Sequence, residues 1–262
     1  MPTQVDLRLG DEIFFNTNQI GNLCAISIFF AQYLSRQNEG SWKFPIGFLA
    51  ITLIRSLSKT TLTAFIVSEG LLLIMDRSIS RRTKLLTVAG FLLIVAAFWG
   101  LLEAYYQNYI SGGDSAASLT GRTGIWVYVA SEIAEKPWLG HGFDSMWKVI
   151  PPFGPDQFEA RHAENEVLQQ LYAYGVAGLV LLAGTYVSLY RTVRKLSDKS
   201  IRILFLCFLL FMLVRGLAEA EPFDLLLPLW CIVLIAALVS SKDTLMELPF
   251  ESGAGALAGE IT

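Results

Sequence analysis

Ionisable side chains interrupt the apolar character of this 262-residue sequence at three places where chemistry could occur. In chain order these are Arg122, the segment 161–165 with His162 and Glu164 on either side of Ala163, and the group Arg215, Glu219 and Glu221. An arginine can hold phosphate oxygens through two parallel hydrogen bonds. A histidine or a carboxylate can take a proton from a hydroxyl group near neutral pH. Together these residue types suit a reaction on a lipid-carried phosphate ester at the outer face of a membrane.

The same residues also have structural interpretations. Arg122 fits the exposed first turn of a helix, and an acidic residue such as Glu164 is favourable near the start of the helix that follows it. Arg215 and Glu219 fit an ion pair at a helix end, which we prefer to a catalytic role for them. His141 lies in a glycine-rich turn, where we expect it to satisfy backbone groups rather than to do chemistry.

The composition is typical of a membrane protein. The chain is 53% hydrophobic and 16% charged, with a mean hydropathy of +0.50, whereas soluble domains carry about 25% charged residues. Long apolar runs alternate with short charged clusters, which predicts several membrane spans rather than one large core. The net charge of −3 indicates no nucleic-acid partner. Cys24, Cys207 and Cys231 lie in apolar runs and indicate no disulfide framework.

We therefore predict an all-α, polytopic integral membrane bundle with about seven spans, forming a single domain over 1–262. The spans are expected at about 19–34, 44–58, 60–75, 85–105, 167–190, 201–217 and 225–240. A full crossing needs about 20 apolar residues, so the second span, whose apolar run is short, is the weakest of these predictions. The tail at about 243–262 has a composition typical of disorder.

Basic residues in the short loops set the expected orientation. Four lie in 76–84 and four in 191–199, which places both segments in the cytoplasm. The long segment at about 106–166 is then a large extracytoplasmic loop. Within it, 123–136 has helical periodicity and Pro137 ends the helix. The apolar face of that helix is expected to hold Ile125, Trp126, Val129, Ile133 and Ala134.

Three motifs follow one another across this loop: GRTGIW at 121–126, KPWLGHGF at 136–143 and HAENEVLQQLYAYGVAG at 162–178. Together they resemble the O-antigen ligase and polysaccharide polymerase family of bacterial inner-membrane proteins. Members of that family show an Arg before an aliphatic–Trp pair, a Pro-x-Leu-Gly-x-Gly-Phe turn, and a His-Asn pair leading to Gly-x-x-Gly in the next span. The segment RLGDEIFFNTNQIG at 8–21 also resembles the one that precedes a span in this family.

The resemblance implies a glycosyltransferase of the cell envelope, acting in lipopolysaccharide or exopolysaccharide biosynthesis. The donor would be an undecaprenyl-diphosphate-linked glycan, and the acceptor hydroxyl would belong to a lipid A core, a protein or another lipid-linked glycan. No nucleotide, metal or other cofactor is implied. Arg122 would clamp the diphosphate, and His162 or Glu164 would act as the base. The substrate-binding residues would be Arg8, Trp126, Arg161, Asn165 and Arg215.

Two features depart from the family pattern. Glu164 occupies the position of the usual His, with His162 two residues earlier, so an inactive assembly partner is an alternative. Family members usually carry several more spans before this point, and a second chain supplying them is a further hypothesis. A transporter or flippase for lipid-linked sugars is the other alternative, although we find no internal repeat of the kind many transporters contain. In every case we expect a multi-pass protein of the bacterial inner membrane with the large loop outside.

Overall fold

A computed structural model describes most of the helical part of the chain. The residues it describes are 17–37, 40–75, 79–97, 119–143, 145, 162–220, 233, 235–239 and 241. The predicted last span at 225–240 lies largely outside these residues, and the predicted tail at 243–262 lies entirely outside them.

The described part of the chain consists of helices with no strand, which confirms the all-α prediction. The helices, renumbered in chain order, are α1 (Thr17–Arg36), α2 (Lys43–Arg55), α3 (Lys59–Met75), α4 (Arg81–Ala97), α5 (Leu119–Glu135), α6 (Glu166–Lys195) and α7 (Lys199–Gly216). α5 is the helix expected in the external loop, and the other six overlap the first six predicted spans.

Among the residues that the structure describes, α6 is the one helix whose length and hydropathy suffice for a membrane crossing, with 30 residues and a mean hydropathy of 1.5 over an 18-residue stretch. The number of crossings predicted from the sequence is therefore not established. α2 has 13 residues and would be about 20 Å long, against a hydrocarbon layer of about 30 Å. α7 has a nearly continuous apolar run, but Lys199, Arg202 and Arg215 lie within its 18 residues.

An aromatic core holds α1, α3 and α7 together. The ring of Phe29 on α1 lies 5.3 Å from that of Phe65 on α3, and 5.6 and 5.8 Å from those of Phe208 and Phe211 on α7. Phe29, Phe208 and Phe211 are buried almost completely. The contacts with Phe208 and Phe211 are edge-to-face, an arrangement that adds to the free energy gained by burial. This packing fixes the relative positions of the three helix ends that carry polar residues.

Those polar ends meet at one end of the bundle. Ser58, just before α3, donates a hydrogen bond of 2.8 Å from its hydroxyl to Asn18 Oδ1 in the first turn of α1. Asn165, just before α6, donates one of 2.8 Å from its side chain to the carbonyl of Leu217, just after α7. The starts of α1, α3 and α6 and the end of α7 therefore form one surface, which we call the polar end of the bundle.

Candidate active site

α5 packs against the start of α6 through the face predicted for it. Ile125 and Val129 are buried in a cluster with Ala163 and Tyr172, and Trp126 and Ile133 pack at its edge. The indole N–H of Trp126 donates a 2.9 Å hydrogen bond to the Ala163 carbonyl. The predicted face is thus correct except at Ala134, which is exposed. Arg122, one helical turn before Trp126, consequently lies beside the segment that precedes α6.

Arg122 is surrounded by acceptors from three separate parts of the chain. Its Nη2 lies 3.1 Å from Glu164 Oε2 and 3.7 Å from Glu219 Oε2. Its Nη1 donates to Thr60 Oγ1 at 3.5 Å. The side chain is 17% exposed, so the guanidinium is largely shielded yet reachable from outside. This geometry leaves the cation between two carboxylates at the polar end of the bundle.

Glu164 joins Arg122 to His162. Its Oε1 lies 3.6 Å from His162 Nδ1, while its Oε2 faces Arg122. The backbone of Glu164 has φ of 50°, a left-handed conformation that is uncommon for residues other than glycine. Such conformations persist where the surrounding contacts hold them, and they are frequent at functional sites. The three residues predicted to be catalytic are therefore adjacent in the structure.

Glu219 belongs to one of the three polar groups found in the sequence, but its contact with Arg122 was not predicted. It is 3% exposed, and its Oε2 accepts a 2.8 Å hydrogen bond from the Asn18 side chain. The sequence favours Glu219 as an ion-pair partner of Arg215, and the structure also places it against Arg122, which makes it part of the site. The signal available in the sequence was a carboxylate just beyond an apolar run, at the end of the bundle where the loop was expected.

The environment of Glu219 favours its neutral form. Burial, followed by the nearby charge of Glu164, raises the pKa of Glu219 to about 7. Three positive or ionisable neighbours act in the opposite direction, namely Arg215, Arg122 and His162. Glu219 therefore changes its charge close to neutral pH, next to the cation of the site.

The other predicted site residues have mixed outcomes. Asn165 caps α6, because its Oδ1 accepts a 3.0 Å hydrogen bond from the Leu168 backbone N–H. Arg215, in the last turn of α7, is close enough for its charge to act on Glu219. Arg8 and Arg161 lie outside the described residues. His141 Nε2 lies 2.9 Å from the Glu132 carbonyl, the backbone role expected for it.

An apolar groove of about 470 Å³ runs along α6 from Gln170, one helical turn after Glu166. Its lining includes Leu139, Gln170, Tyr174 and Leu181. The amide of Gln170 donates a 3.0 Å hydrogen bond to Glu166, the first residue of α6. The groove thus begins near the polar end and continues along the apolar length of the helix.

Comparisons with known proteins agree with these observations. A family model described as O-Antigen ligase matches residues 44–183, which is more than half of the chain and includes Arg122, His162 and Glu164. An O-antigen ligase of Pseudomonas aeruginosa is 30% identical over 102 residues, which is 39% of this chain and 25% of that protein. The chain thus spans about a quarter of the length of the curated relative it matches. The resemblance carried by the three loop motifs is confirmed.

Proposed function

Because the chain belongs to the O-antigen ligase family, whose members are membrane-associated, we propose that it transfers glycan from an undecaprenyl-diphosphate-linked donor to an acceptor hydroxyl. It would act as an O-antigen ligase or as a polymerase of O-antigen or exopolysaccharide. The observation that carries the proposal is the contact of Arg122 with Glu164, itself beside His162, within the matched region. The acceptor would be a lipid A core, a protein or a second lipid-linked glycan.

The reaction needs charge stabilisation more than bond activation. The acceptor oxygen loses its proton and bonds to the anomeric carbon, while the bond from that carbon to the diphosphate oxygen breaks and the diphosphate leaves with the electron pair. Arg122 binds the departing phosphate oxygens, whose negative charge grows in the transition state. His162 or Glu164 receives the proton. On binding, the diphosphate of the donor would displace Glu164 or Glu219 from Arg122.

Further residues of the polar end suit substrate contacts. Arg215, and with it Arg8 and Arg161, would add phosphate contacts, while Asn165 would orient the base or a sugar. Trp126, whose indole N–H is already bonded to Ala163, supports the loop and offers a ring edge to a sugar. The apolar groove along α6 suits the hydrocarbon chain of a lipid-linked donor.

The orientation proposed from the sequence places this site outside the cytoplasm of a multi-pass inner-membrane protein. The hydrogen bonds joining the starts of α1, α3 and α6 to the end of α7 support it, since they put Glu164 and Glu219, and with them Arg122, at one end. The basic residues of 81–84 lie in the first turn of α4, which follows the end of α3, and those of 191–199 lie where α6 ends and α7 begins. Both segments are thus at the opposite helix termini, which suits a cytoplasmic face. A second chain supplying further spans remains part of the proposal.

The direct test is glycan transfer in cells that lack their own ligase or polymerase. We expect the intact chain to restore either long glycan on the lipid A core or longer lipid-linked glycan, and the product identifies the acceptor. Glu135→Gln, which alters an exposed side chain on α5, should behave like the intact protein. If a correctly inserted chain restores nothing with several donors and acceptors, the enzymatic proposal is overturned in favour of an assembly partner.

The charge of Glu219 should make donor binding depend on pH. Below about pH 7 Glu219 is neutral, and above it the carboxylate competes with the diphosphate for Arg122 and repels it. Two unit charges about 8 Å apart interact by about 2 kcal/mol at an effective dielectric constant of about 20. With partial solvent screening, we expect the KM for the donor to rise about tenfold from about pH 6 to about pH 8.

Glu219→Gln should remove most of this rise, because the amide stays neutral throughout. Initial rates at varied donor concentration in proteoliposomes measure the effect, with Glu135→Gln as the control that keeps it. An unchanged pH dependence of KM in Glu219→Gln would show that another group is responsible.

A further inference from the structure

A turn from the external segment is inserted into the backbone of α6. In an uninterrupted helix, the N–H groups of 176–177 would bond to the carbonyls of 172–173. Here Gly175 has φ of 63° and ψ of −158°, and the helix is broken. The freed groups of α6 bond instead to the turn at 137–142. Two N–H groups of α6 donate to the turn, Val176 to Pro137 O at 2.8 Å and Ala177 to Trp138 O at 3.3 Å. Two N–H groups of the turn donate to α6, His141 to Tyr172 O at 2.8 Å and Gly142 to Ala173 O at 2.9 Å.

The exchange gives a new partner to each of the four groups that the two missing helical bonds would have joined, because four bonds to the turn take their place. In a membrane environment such a break is tolerated only where the freed groups are bonded again. The turn is thus the reason that α6 can be interrupted at this point, about 13 Å along the helix from Glu166.

Two glycines allow the close approach. A Cβ added at Gly140 would lie 2.5 Å from backbone atoms of Tyr172, Ala173 and Tyr174, and one added at Gly175 would lie 2.3 Å from the Trp138 backbone. Both glycines also have positive φ. Because the obstructing atoms are backbone, a side chain at either position would force the turn away from α6.

His141 ties the same turn to the end of α5. Its ring stacks on Tyr172 with the centroids 4.8 Å apart, and its Nε2 lies 2.9 Å from the Glu132 carbonyl. Tyr172 belongs to the buried cluster that also contains Ile125 and Ala163. The turn, the end of α5 and the break in α6 therefore form one packed unit.

We propose that this inserted turn sets the position of α5 on α6, and that Gly140, His141 and Gly175 are positioning residues that keep Arg122 opposite Glu164. α5 is 17 residues and about 25 Å long, so a small change in the direction of its axis at the turn becomes a large displacement of Arg122 near its other end. The catalytic consequence rests on the function proposed above. The positioning itself does not, because it can be measured without glycan transfer.

The test compares two glycines of the same turn. Gly140→Ala introduces the backbone clash, whereas Gly142→Ala shares the positive φ, at 99°, but meets no atom within 4 Å. Both variants are made in a parent protein in which Cys24, Cys207 and Cys231 are changed to Ala. The parent also carries Ile125→Cys on α5 and Ala163→Cys before α6, which form the pair to be cross-linked. The measurements are the yield of the disulfide formed directly between the two cysteines on mild oxidation, which needs no spacer in the buried cluster, and the rate of transfer before and after this cross-linking.

We expect Gly142→Ala, which carries the strain of an alanine at positive φ but no clash, to cross-link only slightly less than the parent. Gly140→Ala, which adds the clash with the α6 backbone, should cross-link about tenfold less, with a similar fall in transfer. The fraction of Gly140→Ala that does cross-link should recover most of the transfer rate, which a general loss of folding would not allow. Equal cross-linking in both variants, or a cross-linked form that stays inactive beside an active parent, overturns the proposal. If the parent shows no transfer, the proposed function fails and the cross-linking yields alone decide the positioning.

Should Gly140→Ala fail to accumulate, His141 supplies the same comparison. His141→Gln can still donate to the Glu132 carbonyl, whereas His141→Ala cannot, so cross-linking should fall in the order parent, His141→Gln, His141→Ala. The test can be repeated on α6 itself by comparing Gly175→Ala with Gly184→Ala. A Cβ added at Gly184 meets no atom within 4 Å, so Gly184→Ala is the control. An equal yield in every one of these variants contradicts the proposed role of the turn.

Discussion

Arg122→Ala should lower the rate of glycan transfer by about 100-fold to 1,000-fold at matched abundance in the membrane. The substitution removes the cation that would meet the charge growing on the diphosphate, and it leaves Glu164 and Glu219 facing each other without their shared partner. Glu164 would then repel the donor in place of an arginine that attracts it, while Glu219, whose pKa loses the lowering effect of Arg122, favours its neutral form. The loss is measured as long glycan formed per unit time in cells lacking their own enzyme.

Two further variants separate catalysis from simple loss of charge. Arg122→Lys keeps the positive charge but not the paired donors, so we expect it to recover only part of the rate. Arg82→Ala removes the same charge from an exposed position on α4, where transfer should be unchanged. A rate for Arg122→Ala equal to that of Arg82→Ala would exclude the phosphate-clamp role.

The helices could be predicted well from apolar runs, but their ends could not. The run at 167–190 corresponds to α6, which extends from Glu166 to Lys195. At its start Asn165 supplies the cap, and at its end the helix continues through Arg191, Arg194 and Lys195. Likewise the predicted span at 85–105 corresponds to α4, which begins at Arg81. Charged residues at a helix end continue the backbone hydrogen bonding although they do not belong to the apolar run.

The site was predictable where its parts are local in sequence. Arg122 precedes the Ile125–Trp126 pair and His162 flanks Glu164, so one loop could be expected to bring them together. Glu219 contacts them only because α7 packs on α6 and on α1. That packing depends on the shapes of many apolar side chains, which resemble one another in sequence.

The break in α6 is a second feature that could not be predicted from the local sequence. Gly175 lies in a continuous apolar run, and nothing in that run indicates a positive φ. The break exists because the turn containing Gly140 offers donors and acceptors to the freed backbone. A distant partner therefore decides the local conformation, and the motif at 136–143 acquires a structural role that its spacing alone did not predict.

His162→Gln and Glu164→Gln should each lower the rate of transfer by about 100-fold or more, and the double variant should be no slower than the slower single variant. A positioned base contributes about 100-fold to 10,000-fold. Glu164 Oε1 faces His162 Nδ1 at 3.6 Å and Oε2 faces Arg122, so the two side chains would move one proton as a unit. Residues that act as a unit give losses that do not multiply. Transfer rates of the four proteins at matched abundance measure this.

The pattern of losses distinguishes the mechanisms that the sequence left open. Losses that multiply in the double variant would mean that His162 and Glu164 act in separate steps, for example one on the proton and the other on Arg122. If only one single variant is impaired, that residue is the base and the other is a neighbour. If all three variants transfer glycan like Glu135→Gln, neither residue takes the proton. Glu219, the remaining carboxylate beside Arg122, would then be the first candidate, because its pKa near 7 suits a base that must lose and regain a proton at neutral pH.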